Sequence, residues 1–563
     1  MLVSKPAKDI EPLDASLEDR VAIDHATNTV YVEEEIHWKP LLQTWLARNR
    51  RRGIELEVKH ALRDEISALR AKGLRTTGKA DDSQINLPRA LNIVATAASY
   101  TASDIHLQMK GEHTEIQFVI KGELRVYEYI GHNEGEDLAR AFYQGLAKTK
   151  DASWNPLERQ NAQIPDDMLP PDLGLTSARV IRGPAYPVAK GGAFMTIRLQ
   201  YSETRQEKRK HSLPSLPYPR KPAGTFELEK RGLTIRQIEK LNVLMAVPHG
   251  IVMVTGPTGS GKTTLIYEVF KEKARRRPWR RQVTIEDPVE FPMDWAVQLP
   301  VTDTRGDDEN GEAFAELGRT ALRMAPNTLL YGETRGAKVA LEVIRGAQTG
   351  HDSWTTVHVS DPFQVVERWE MFDPDRLNRR IFCDPVTLRG FIGIRLLPCL
   401  CENCRVPLAD AQDQVPARIV DALKTWAVDG SLEKVHVKGP GCDQCDFDGT
   451  TRRSAVAEIV INDEELSLDF INKGVAVART NYRARPDADP SMLESSIARV
   501  LRGEVDPADV EERVDLIVPR AADRSASVVS IRDPLAPEIS RPRNVVHEKP
   551  AASAQLMGAA INA

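Results

Sequence analysis

The sequence predicts an α/β fold built on a parallel sheet. Four short apolar runs alternate with stretches of helical periodicity, at residues 251–255, 282–285, 328–331 and 354–357. Apolar strands that are separated by helices are typical of a parallel sheet covered on both faces. The first run leads into a glycine-rich turn, and a polar cluster follows each of the other three. These turns and clusters are therefore expected at one edge of the sheet.

The glycine-rich turn has the composition of a phosphate cradle. It reads Gly256-Pro257-Thr258-Gly259-Ser260-Gly261-Lys262-Thr263, and from Thr264 the chain continues as an amphipathic helix. Glycine lets successive backbone N–H groups approach a phosphate, and a helix amino terminus adds partial positive charge. Lys262 is placed to reach the β- and γ-phosphates, and the Thr263 hydroxyl to ligate Mg²⁺. The turn therefore predicts binding of ATP or GTP.

The polar clusters supply candidate catalytic side chains. Glu286 and Glu290 follow the second strand, and Glu333 follows the third. The fourth strand ends at His358, and His351 stands shortly before the start of that strand. An acidic pair after a strand is more often a helix cap or a solvated turn, and a lone histidine is more often structural. The position of Glu333, after an apolar strand downstream of the cradle, suits a residue that organises metal and water.

Composition limits the class of protein. The chain has 563 residues, 41% of them hydrophobic and 28% charged, with a net charge of −5. A protein that coats DNA normally carries a basic surplus, which is missing here. Residues 1–13 do not resemble a signal peptide, and no run approaches the roughly 18 apolar residues that span a bilayer. We therefore expect a cytoplasmic protein that meets the inner membrane only through partners.

Changes in composition along the chain predict seven segments. They are a divergent amino-terminal region (1–85, with a charged helix over 51–72), an α+β domain (87–202), a linker (203–224), an α/β core (225–398), a cysteine-bearing lobe (399–460), a helical region (461–518) and a disordered tail (519–563). In the α+β domain we expect a helix at 91–98 and strands at 115–120, 122–129, 178–181 and 193–199. The linker, rich in Pro, Lys and Arg from residue 204 to 222, is expected to be a solvated hinge.

Four of the six cysteines form two C-x-x-C pairs. They are Cys401 with Cys404 and Cys442 with Cys445. Four thiolates in a reducing compartment predict a closed tetrahedral Zn²⁺ site that is structural and not catalytic. Two unrelated free-thiol pairs are the alternative, and Cys383 and Cys399 are expected to be bystanders.

Several segments together resemble the type II secretion and type IV pilus ATPase family. Residues 247–250 enter the cradle as in that family, 284–291 resemble its Asp box, 322–335 its Walker B segment and 349–358 its His box. Ser103-Asp104-Ile105-His106 and Lys121-Gly122 resemble its amino-terminal domain, so that the likeness covers about residues 90–515. The resemblance implies a RecA-like P-loop core, preceded by an α+β (PAS-like) domain and followed by a zinc lobe and a helical region.

The resemblance also implies roles for the clusters. Glu286 or Glu290 would help to activate the attacking water, and Glu333 would organise Mg²⁺ and water. His351 and His358 would sense or position the γ-phosphate, although a structural role for His351 stays open.

Arginines are implied by the family's ring of six, in which a neighbour's amino-terminal domain reaches the nucleotide. Arg179 and Arg198 stand at the matching strand positions. Arg319 and Arg323, four residues apart on one helix face, are further candidates.

The sequence departs from the family pattern at several positions. Ala325 and Asn327 stand where Walker B usually has two aspartates around a proline, Gly336 replaces an acidic residue, and Lys121 replaces an aspartate. Because Glu333 is retained, we expect hydrolysis to persist, with a rate or subunit coupling that can differ.

The resemblance implies a hexameric motor that uses ATP hydrolysis to move a polytopic inner-membrane platform protein. The tetracysteine lobe favours the branch that assembles fibres, and the divergent segments favour a type IVb conjugative pilus over a type II secretion pseudopilus. No direct contact with nucleic acid is expected. Two alternatives remain: a ring-shaped nucleic-acid motor, because basic runs at 208–210 and 275–277 could line a pore, and a nucleotide-binding scaffold with weakened hydrolysis.

Overall fold

The computed structural model of the chain describes residues 20–24, 27–71, 82–202, 213–301 and 307–520, together with Ile10, Leu13 and Leu17. Within those ranges, no helix combines the length and the apolar character needed to cross a membrane. The predicted basic run at 208–210 and most of the predicted disordered tail lie outside the described residues.

The first region is a three-stranded sheet with two helices. Its elements are β1 (Val21–Asp24), β2 (Thr29–Val32), α1 (Pro40–Arg51), β3 (Glu57–His60) and α2 (Arg63–Ala71). The predicted charged helix over 51–72 is wrong at residues 57–60, which form a strand that pairs in parallel with β2. The helix begins only at Arg63. The charged side chains of β3 face solvent at the sheet's edge, where a strand tolerates them.

The second region is a seven-stranded antiparallel sheet in the order β6-β5-β4-β10-β9-β8-β7. Its elements are α3 (Asp82–Ser99), β4 (Asp104–Met109), β5 (His113–Ile120), β6 (Glu123–Gly131), α4 (His132–Arg140), β7 (Thr149–Lys150), β8 (Gln160–Pro165), β9 (Leu175–Pro184) and β10 (Ala193–Tyr201). The helix and the four strands predicted here are confirmed, and each is longer than predicted. Apolar residues of α3 and α4 pack with the sheet in one core.

The third region is the predicted α/β core, a seven-stranded sheet in the order β13-β12-β14-β15-β11-β16-β19. All neighbours are parallel except the pair of β16 with β19. Its strands are β11 (Gly250–Thr255), β12 (Gln282–Glu286), β13 (Ala296–Pro300), β14 (Thr328–Tyr331), β15 (Asp352–Val357), β16 (Leu388–Leu400) and β19 (Thr450–Ile461). Between β16 and β19 in the chain, β17 (Val406–Pro407) and β18 (His436–Val437) form a separate two-stranded ribbon.

Helices cover both faces of this sheet. They are α5 (Ile235–Ala246), α6 (Lys262–Arg276), α7 (Asp307–Leu322), α8 (Ala337–Gln348), α9 (Val365–Phe372) and α10 (Arg379–Phe382). Ile251 and Met253 of β11 belong to one hydrophobic cluster, whereas Val252 and Val254 belong to another with α6. This alternation confirms a parallel sheet that is buried on both faces.

The last part of the chain adds a lobe and a helical region. Their helices are α11 (Ala417–Trp426), α12 (Glu464–Lys473), α13 (Val475–Arg483), α14 (Met492–Leu501) and α15 (Pro507–Arg513). Helices α12 and α13 pack against the parallel sheet through Phe470 and Tyr482. Helix α14 packs with α11 in a separate cluster.

The described part of the expected hinge, residues 213–222, is irregular but attached to the antiparallel sheet. The backbone N–H of Val126 donates to the Pro217 carbonyl at 2.8 Å, and Arg125 donates to the Leu216 carbonyl at 3.1 Å. The Arg125 guanidinium also lies over the Tyr218 ring, 3.8 Å from its centroid. This stretch is therefore held along β6, and most of its residues are exposed to solvent.

Candidate functional site

The parallel sheet has two edges with different contents. Thr255 lies opposite Val357, Ile285 opposite Tyr331, and Tyr331 opposite Thr355, so the carboxyl ends of β11, β12, β14 and β15 meet at one edge. We call this the carboxyl edge, and we call the opposite side, where these strands begin, the amino edge. In parallel sheets of this kind, ligands bind outside the carboxyl ends of the strands.

The glycine-rich turn connects β11 to α6 at the carboxyl edge. Gly256 has a φ of +153° and lies so close to β16 that an added Cβ would sit 2.7 Å from the Ile394 carbonyl oxygen. Gly261 has a φ of +94°, in the left-handed region, and directly precedes the first residue of α6. A larger residue at either position would strain the backbone of the turn. This backbone conformation brings the N–H groups of the turn close to those of the first turn of α6.

Lys262 is held in the cradle by the backbone of its own turn. Its ammonium donates to the carbonyls of Gly256 at 2.8 Å and of Pro257 at 2.9 Å. Burial lowers the pKa of Lys262, and the nearby Glu333 carboxylate opposes that shift. The Lys262 ammonium is thus hydrogen-bonded to neutral carbonyls at the cradle. Charged phosphate oxygens would be stronger acceptors for it than these carbonyls are.

Glu333 and His358 form a pair at the ends of β14 and β15. The His358 Nε2 lies 3.3 Å from one carboxylate oxygen of Glu333, and Arg335 contacts the other oxygen at 2.8 Å. Burial and the charge of Lys262 lower the pKa of His358, so that its imidazole is neutral at pH 7. The side chains of Glu333 and His358 remain 23% and 38% exposed, which leaves both accessible to a ligand.

The two acidic candidates after β12 lie in different environments. Glu286 is 5% exposed, and one carboxylate oxygen accepts from the Thr284 hydroxyl at 2.5 Å and from the Gln298 amide at 2.9 Å. Burial raises the pKa of Glu286. Glu290 is exposed on the loop that follows, and its charge acts on Lys262. Both therefore belong to the carboxyl edge, Glu286 inside it and Glu290 on its surface.

His351 lies at the wrong edge for the role expected of it. It precedes β15, its backbone carbonyl accepts from Gly250 N–H at 3.1 Å, and its Nδ1 contacts the Gly346 carbonyl at 3.1 Å. A six-residue strand separates it from His358, a distance of roughly 20 Å at about 3.3 Å per residue. His351 therefore cannot touch a γ-phosphate bound in the cradle of its own subunit, and its contacts are those of a structural histidine.

Two departures from the family pattern also lie at the amino edge. Asn327 precedes β14, where its side-chain oxygen accepts from the Arg281 N–H at 2.7 Å. Ala325 precedes it with a φ of +53°. Neither residue is beside the cradle, so the expectation that they alter its chemistry has no contact to support it. Gly336, by contrast, is the N-cap of α8 just after Arg335 and is close to the site.

The candidate arginines fall into two groups. Arg179 and Arg198 are exposed and directly opposite each other on β9 and β10, and Arg198 donates to the Asp104 carboxylate at 2.9 Å. Arg319 pairs with two glutamates of its own region, at 3.1 Å and 3.4 Å. Arg323 follows α7 and contacts Asn161 of the antiparallel sheet at 3.4 Å. Arg319 and Arg323 are thus engaged within the chain near the amino edge, where β14 begins.

The four cysteines of the two C-x-x-C pairs form a cluster whose sulfur atoms all lie within 4.8 Å of one another. Three of the sulfur pairs are 3.7–3.8 Å apart. A tetrahedron of thiolates around zinc, with Zn–S of about 2.3 Å, has edges of about 3.8 Å. The Asn403 amide and the Gly449 N–H each donate to a sulfur at 3.2 Å, as outer partners of metal thiolates do.

The spacing of 37 residues between the pairs is explained by the sheet. Leu400 of β16 lies opposite Thr450 of β19 in an antiparallel ladder, so the segments that adjoin these strand ends meet. Cys401 follows β16, and Cys442 and Cys445 precede β19. The intervening residues, including α11, form the lobe.

Arg395 is a residue near the cradle that sequence reasoning missed. It lies on β16, is 3% exposed, and its charge contributes to lowering the pKa of Lys262. The signal was present in the sequence, because a single arginine interrupts the otherwise apolar run from residue 391 to 397.

Comparison with known proteins identifies a family. The family model for "Type II/IV secretion system protein" matches residues 218–514, more than half of the 563-residue chain. The match includes the cradle, the Glu333–His358 pair and all four clustered cysteines.

Individual relatives carry names from secretion and pilus systems. The type IV pilus assembly ATPase PilB of Thermus thermophilus is 24% identical over 73% of this chain and 41% of the relative. The type II secretion system protein E of Aeromonas hydrophila is 28% identical over 51% of this chain and 52% of the relative. The chain thus spans about half the length of these curated relatives. A crystal structure of the pilus retraction motor PilT with bound ADP is 20% identical over 75% of this chain and 96% of PilT, with a TM-score of 0.36.

Proposed function

Because this chain belongs to the type II/IV secretion system protein family, we propose that it is a motor ATPase that hydrolyses MgATP at the carboxyl edge. The observation that carries the proposal is the convergence of Lys262, Glu333 and His358 beside a glycine turn at a helix start. A buried ammonium and a carboxylate at one phosphate cradle suit phosphoryl transfer to water, which depends on charge stabilisation and on positioning of Mg²⁺ and water, and the neutral imidazole lies beside them.

Each residue of the edge has a distinct task in this proposal. The backbone N–H groups from Gly256 to Thr263 and the Lys262 ammonium bind the β- and γ-phosphates. The Thr263 hydroxyl and Glu333 are the side chains placed to hold Mg²⁺, which neutralises phosphate charge when it is bound. Glu290 is exposed and free to orient a water, whereas the Glu286 carboxylate is fixed by its neighbours. His358 is the side chain that would sense or position the γ-phosphate, and its contact with Glu333 couples it to the metal and water.

The proposal extends to a ring of subunits. Arg179 and Arg198 are exposed on adjacent strands of the antiparallel sheet, which suits side chains that reach a neighbour's nucleotide. Loss of the γ-phosphate would then weaken one contact between subunits and shift their relative positions. The ring would be a hexamer that is peripheral to the inner membrane.

The task that we propose for the ring is to drive a polytopic platform protein during assembly of a fibre. The names of the relatives support either a type IV pilus or a type II secretion pseudopilus. Of these we favour a pilus of the type IVb or conjugative kind, on the divergent segments of the sequence.

The experiment for the central proposal compares ATP hydrolysis by the purified chain with that of Lys262→Ala. We expect the variant to fold normally and to lose hydrolysis by at least about a hundredfold, because the main counter-charge to the phosphates is gone. Lys230→Ala is the control, because Lys230 is 77% exposed and pairs with Glu227 on the surface. Normal turnover by Lys262→Ala would overturn the proposal. Nucleotide binding without turnover by the unaltered chain would favour a scaffold role.

We also propose that the cysteine cluster binds one structural Zn²⁺. Metal analysis of the purified chain should find one equivalent of zinc, and Cys404→Ser should lose it and lower the melting temperature of the lobe. Cys399→Ser is the matched control, because Cys399 is close in sequence but outside the cluster. Full zinc occupancy in Cys404→Ser, or loss of zinc in Cys399→Ser, would contradict the assignment.

A further inference from the structure

Arg395 lies beside the cradle, although it belongs to a different strand. Strand β16 runs parallel to β11, and Gly393 lies opposite Thr255, the last residue before the glycine turn. Residues 394–396 therefore continue alongside the turn. An added Cβ on Gly256 would meet the Ile394 carbonyl, and one on Gly261 would meet the Leu396 side chain at 3.3 Å. Ile394 and Leu396 pack toward α6, so Arg395 between them points to the other face of the sheet.

Among the described residues, the buried Arg395 guanidinium has main-chain carbonyls as its hydrogen-bond partners. It donates to its neighbour Ile394 at 3.0 Å and to Ser360 at 2.6 Å. Among the ion pairs of the described residues, none includes Arg395. Two carboxylates, Asp361 and Asp515, act on Arg395 through their charges, and Asp361 is itself bonded to Arg483 at 2.9 Å. A buried charge without a carboxylate in direct contact is costly, and a bound polyphosphate would supply further negative charge.

The Ser360 carbonyl belongs to the turn that leaves β15. Only Val359 separates His358 from Ser360, so the bond from Arg395 fixes this turn close to the imidazole. The next residue, Asp361, caps the following helical turn by accepting from the Phe363 N–H at 3.0 Å. The turn is thus fixed from both sides, and Arg395 is the contact that joins it to the strand beside the cradle.

We propose that Arg395 is a positioning residue of the nucleotide site, which holds the His358 turn in place and contributes positive charge to the phosphates of a bound nucleotide. The inference deepens the proposed function and rests on it for the identity of the ligand. Arg395 then has two separable effects. Its charge strengthens nucleotide binding, and its hydrogen bonds to the Ile394 and Ser360 carbonyls support turnover by holding His358 in position.

The test measures the affinity for a fluorescent ADP analogue and the rate of ATP hydrolysis in two variants of Arg395. Arg395→Met should weaken affinity at least about fivefold and lower kcat at least about twentyfold, since a buried, hydrogen-bonded charge is lost. Arg395→Lys should recover affinity, because the charge returns, and should recover less of kcat, because an ammonium lacks the planar fork. Unchanged affinity and kcat in Arg395→Met would overturn the proposal.

A matched control and a double variant separate positioning from general damage. Arg389 lies on the same strand and also donates to a carbonyl, that of His249 at 3.0 Å, but at the amino edge. Arg389→Met should therefore leave affinity and kcat within about twofold of the unaltered chain. If Arg395 acts through His358, combining Arg395→Met with His358→Ala should lower kcat no further than the worse single change does. Additive losses would contradict the positioning role.

The same measurements distinguish failure of this inference from failure of the proposed function. If the unaltered chain binds the analogue but does not hydrolyse ATP, the ATPase proposal fails, and the affinities still test the charge of Arg395. If Arg395→Met does not fold, Arg395→Lys carries the test. Wild-type kcat in Arg395→Lys, or a loss of kcat that adds to the loss in His358→Ala when the two changes are combined, would overturn the positioning role.

Discussion

The two edges of the parallel sheet carry similar side chains but use them differently. At the amino edge, Asp352 is fully buried and forms an ion pair with Lys273 at 2.6 Å. Its two oxygens also accept from Thr328 and Trp354, each at 2.8 Å. At the carboxyl edge, the hydrogen bonds of Lys262 to described residues go to carbonyls, and Glu333 meets a neutral histidine and a mostly exposed arginine. One edge is closed by its own bonds, and the other is open to a ligand.

This difference teaches that residue type alone does not mark a catalytic group. Asp352 and Lys273 satisfy each other in a dry interior, so they contribute to stability. Glu333 and His358 retain accessible surface and unspent hydrogen-bonding capacity, so they are available for chemistry. Changes at the two edges should accordingly affect different measurements.

The largest expected effect on turnover comes from Glu333→Gln. The variant keeps the shape of the side chain but loses the charge that would hold Mg²⁺ and water, and kcat should fall about a hundredfold or more. Nucleotide binding should persist, as measured by titration of a fluorescent analogue. An unaltered kcat would remove Glu333 from the site.

The largest expected effect on stability comes from Asp352→Asn. It leaves the buried Lys273 ammonium without its counter-charge, which costs about 3–5 kcal/mol when a buried pair is broken. The melting temperature should fall by several degrees, while KM for ATP stays unchanged in the folded protein. Asp421→Asn, which breaks an exposed pair with Lys424, is the control and should leave the melting temperature nearly unchanged. Equal shifts in the two variants would contradict the comparison.

A smaller effect is expected from pH. The pKa of His358 is lowered from 6.5, so the imidazole is neutral above that pH, and the pKa of Glu286 is raised from 4.5 by burial. On acidification below pH 6.5 both groups take up protons, and the value of kcat/KM should fall. It should be level between pH 7 and pH 8, and its slope should approach about tenfold per pH unit below the higher of the two pKa values and about a hundredfold per pH unit below both. A rise in kcat/KM toward acid would contradict these assignments.

The smallest effect is expected from Asn327→Asp, which restores a residue of the family pattern at the amino edge. The aspartate would still accept from the Arg281 N–H, so kcat should change by less than about twofold. A large gain in kcat would show that the amino edge influences the cradle after all.

The sequence was sufficient to predict the sheet, the cradle and the cysteine cluster, because local patterns determine them. The glycine turn follows an apolar strand, and two C-x-x-C pairs specify four ligands whatever lies between them. The sequence already put His351 before the strand that ends at His358, but the role came from the family resemblance, which did not show that the length of β15 separates this histidine from the cradle. Residues 57–60 were predicted to be helical because their charged side chains are typical of an exposed helix, and they are equally tolerated on a strand at the edge of a sheet.

Arg395 shows a different limit of sequence reasoning. Its importance depends on β16 lying next to β11, a pairing between strands more than 130 residues apart in sequence. No local pattern encodes that neighbour relation. The same holds for Glu286, whose carboxylate accepts a hydrogen bond from Gln298 of the adjacent strand.

The most direct test of the difference between the edges compares His358→Ala with His351→Ala. The two histidines flank the same strand, so each variant serves as the control for the other. We predict that His358→Ala lowers kcat for ATP at least about thirtyfold, just below the range of about a hundredfold or more for a general acid or base, and that His351→Ala stays within about threefold of the unaltered chain. Equal losses in both, or a larger loss in His351→Ala, would contradict the assignment of chemistry to the carboxyl edge.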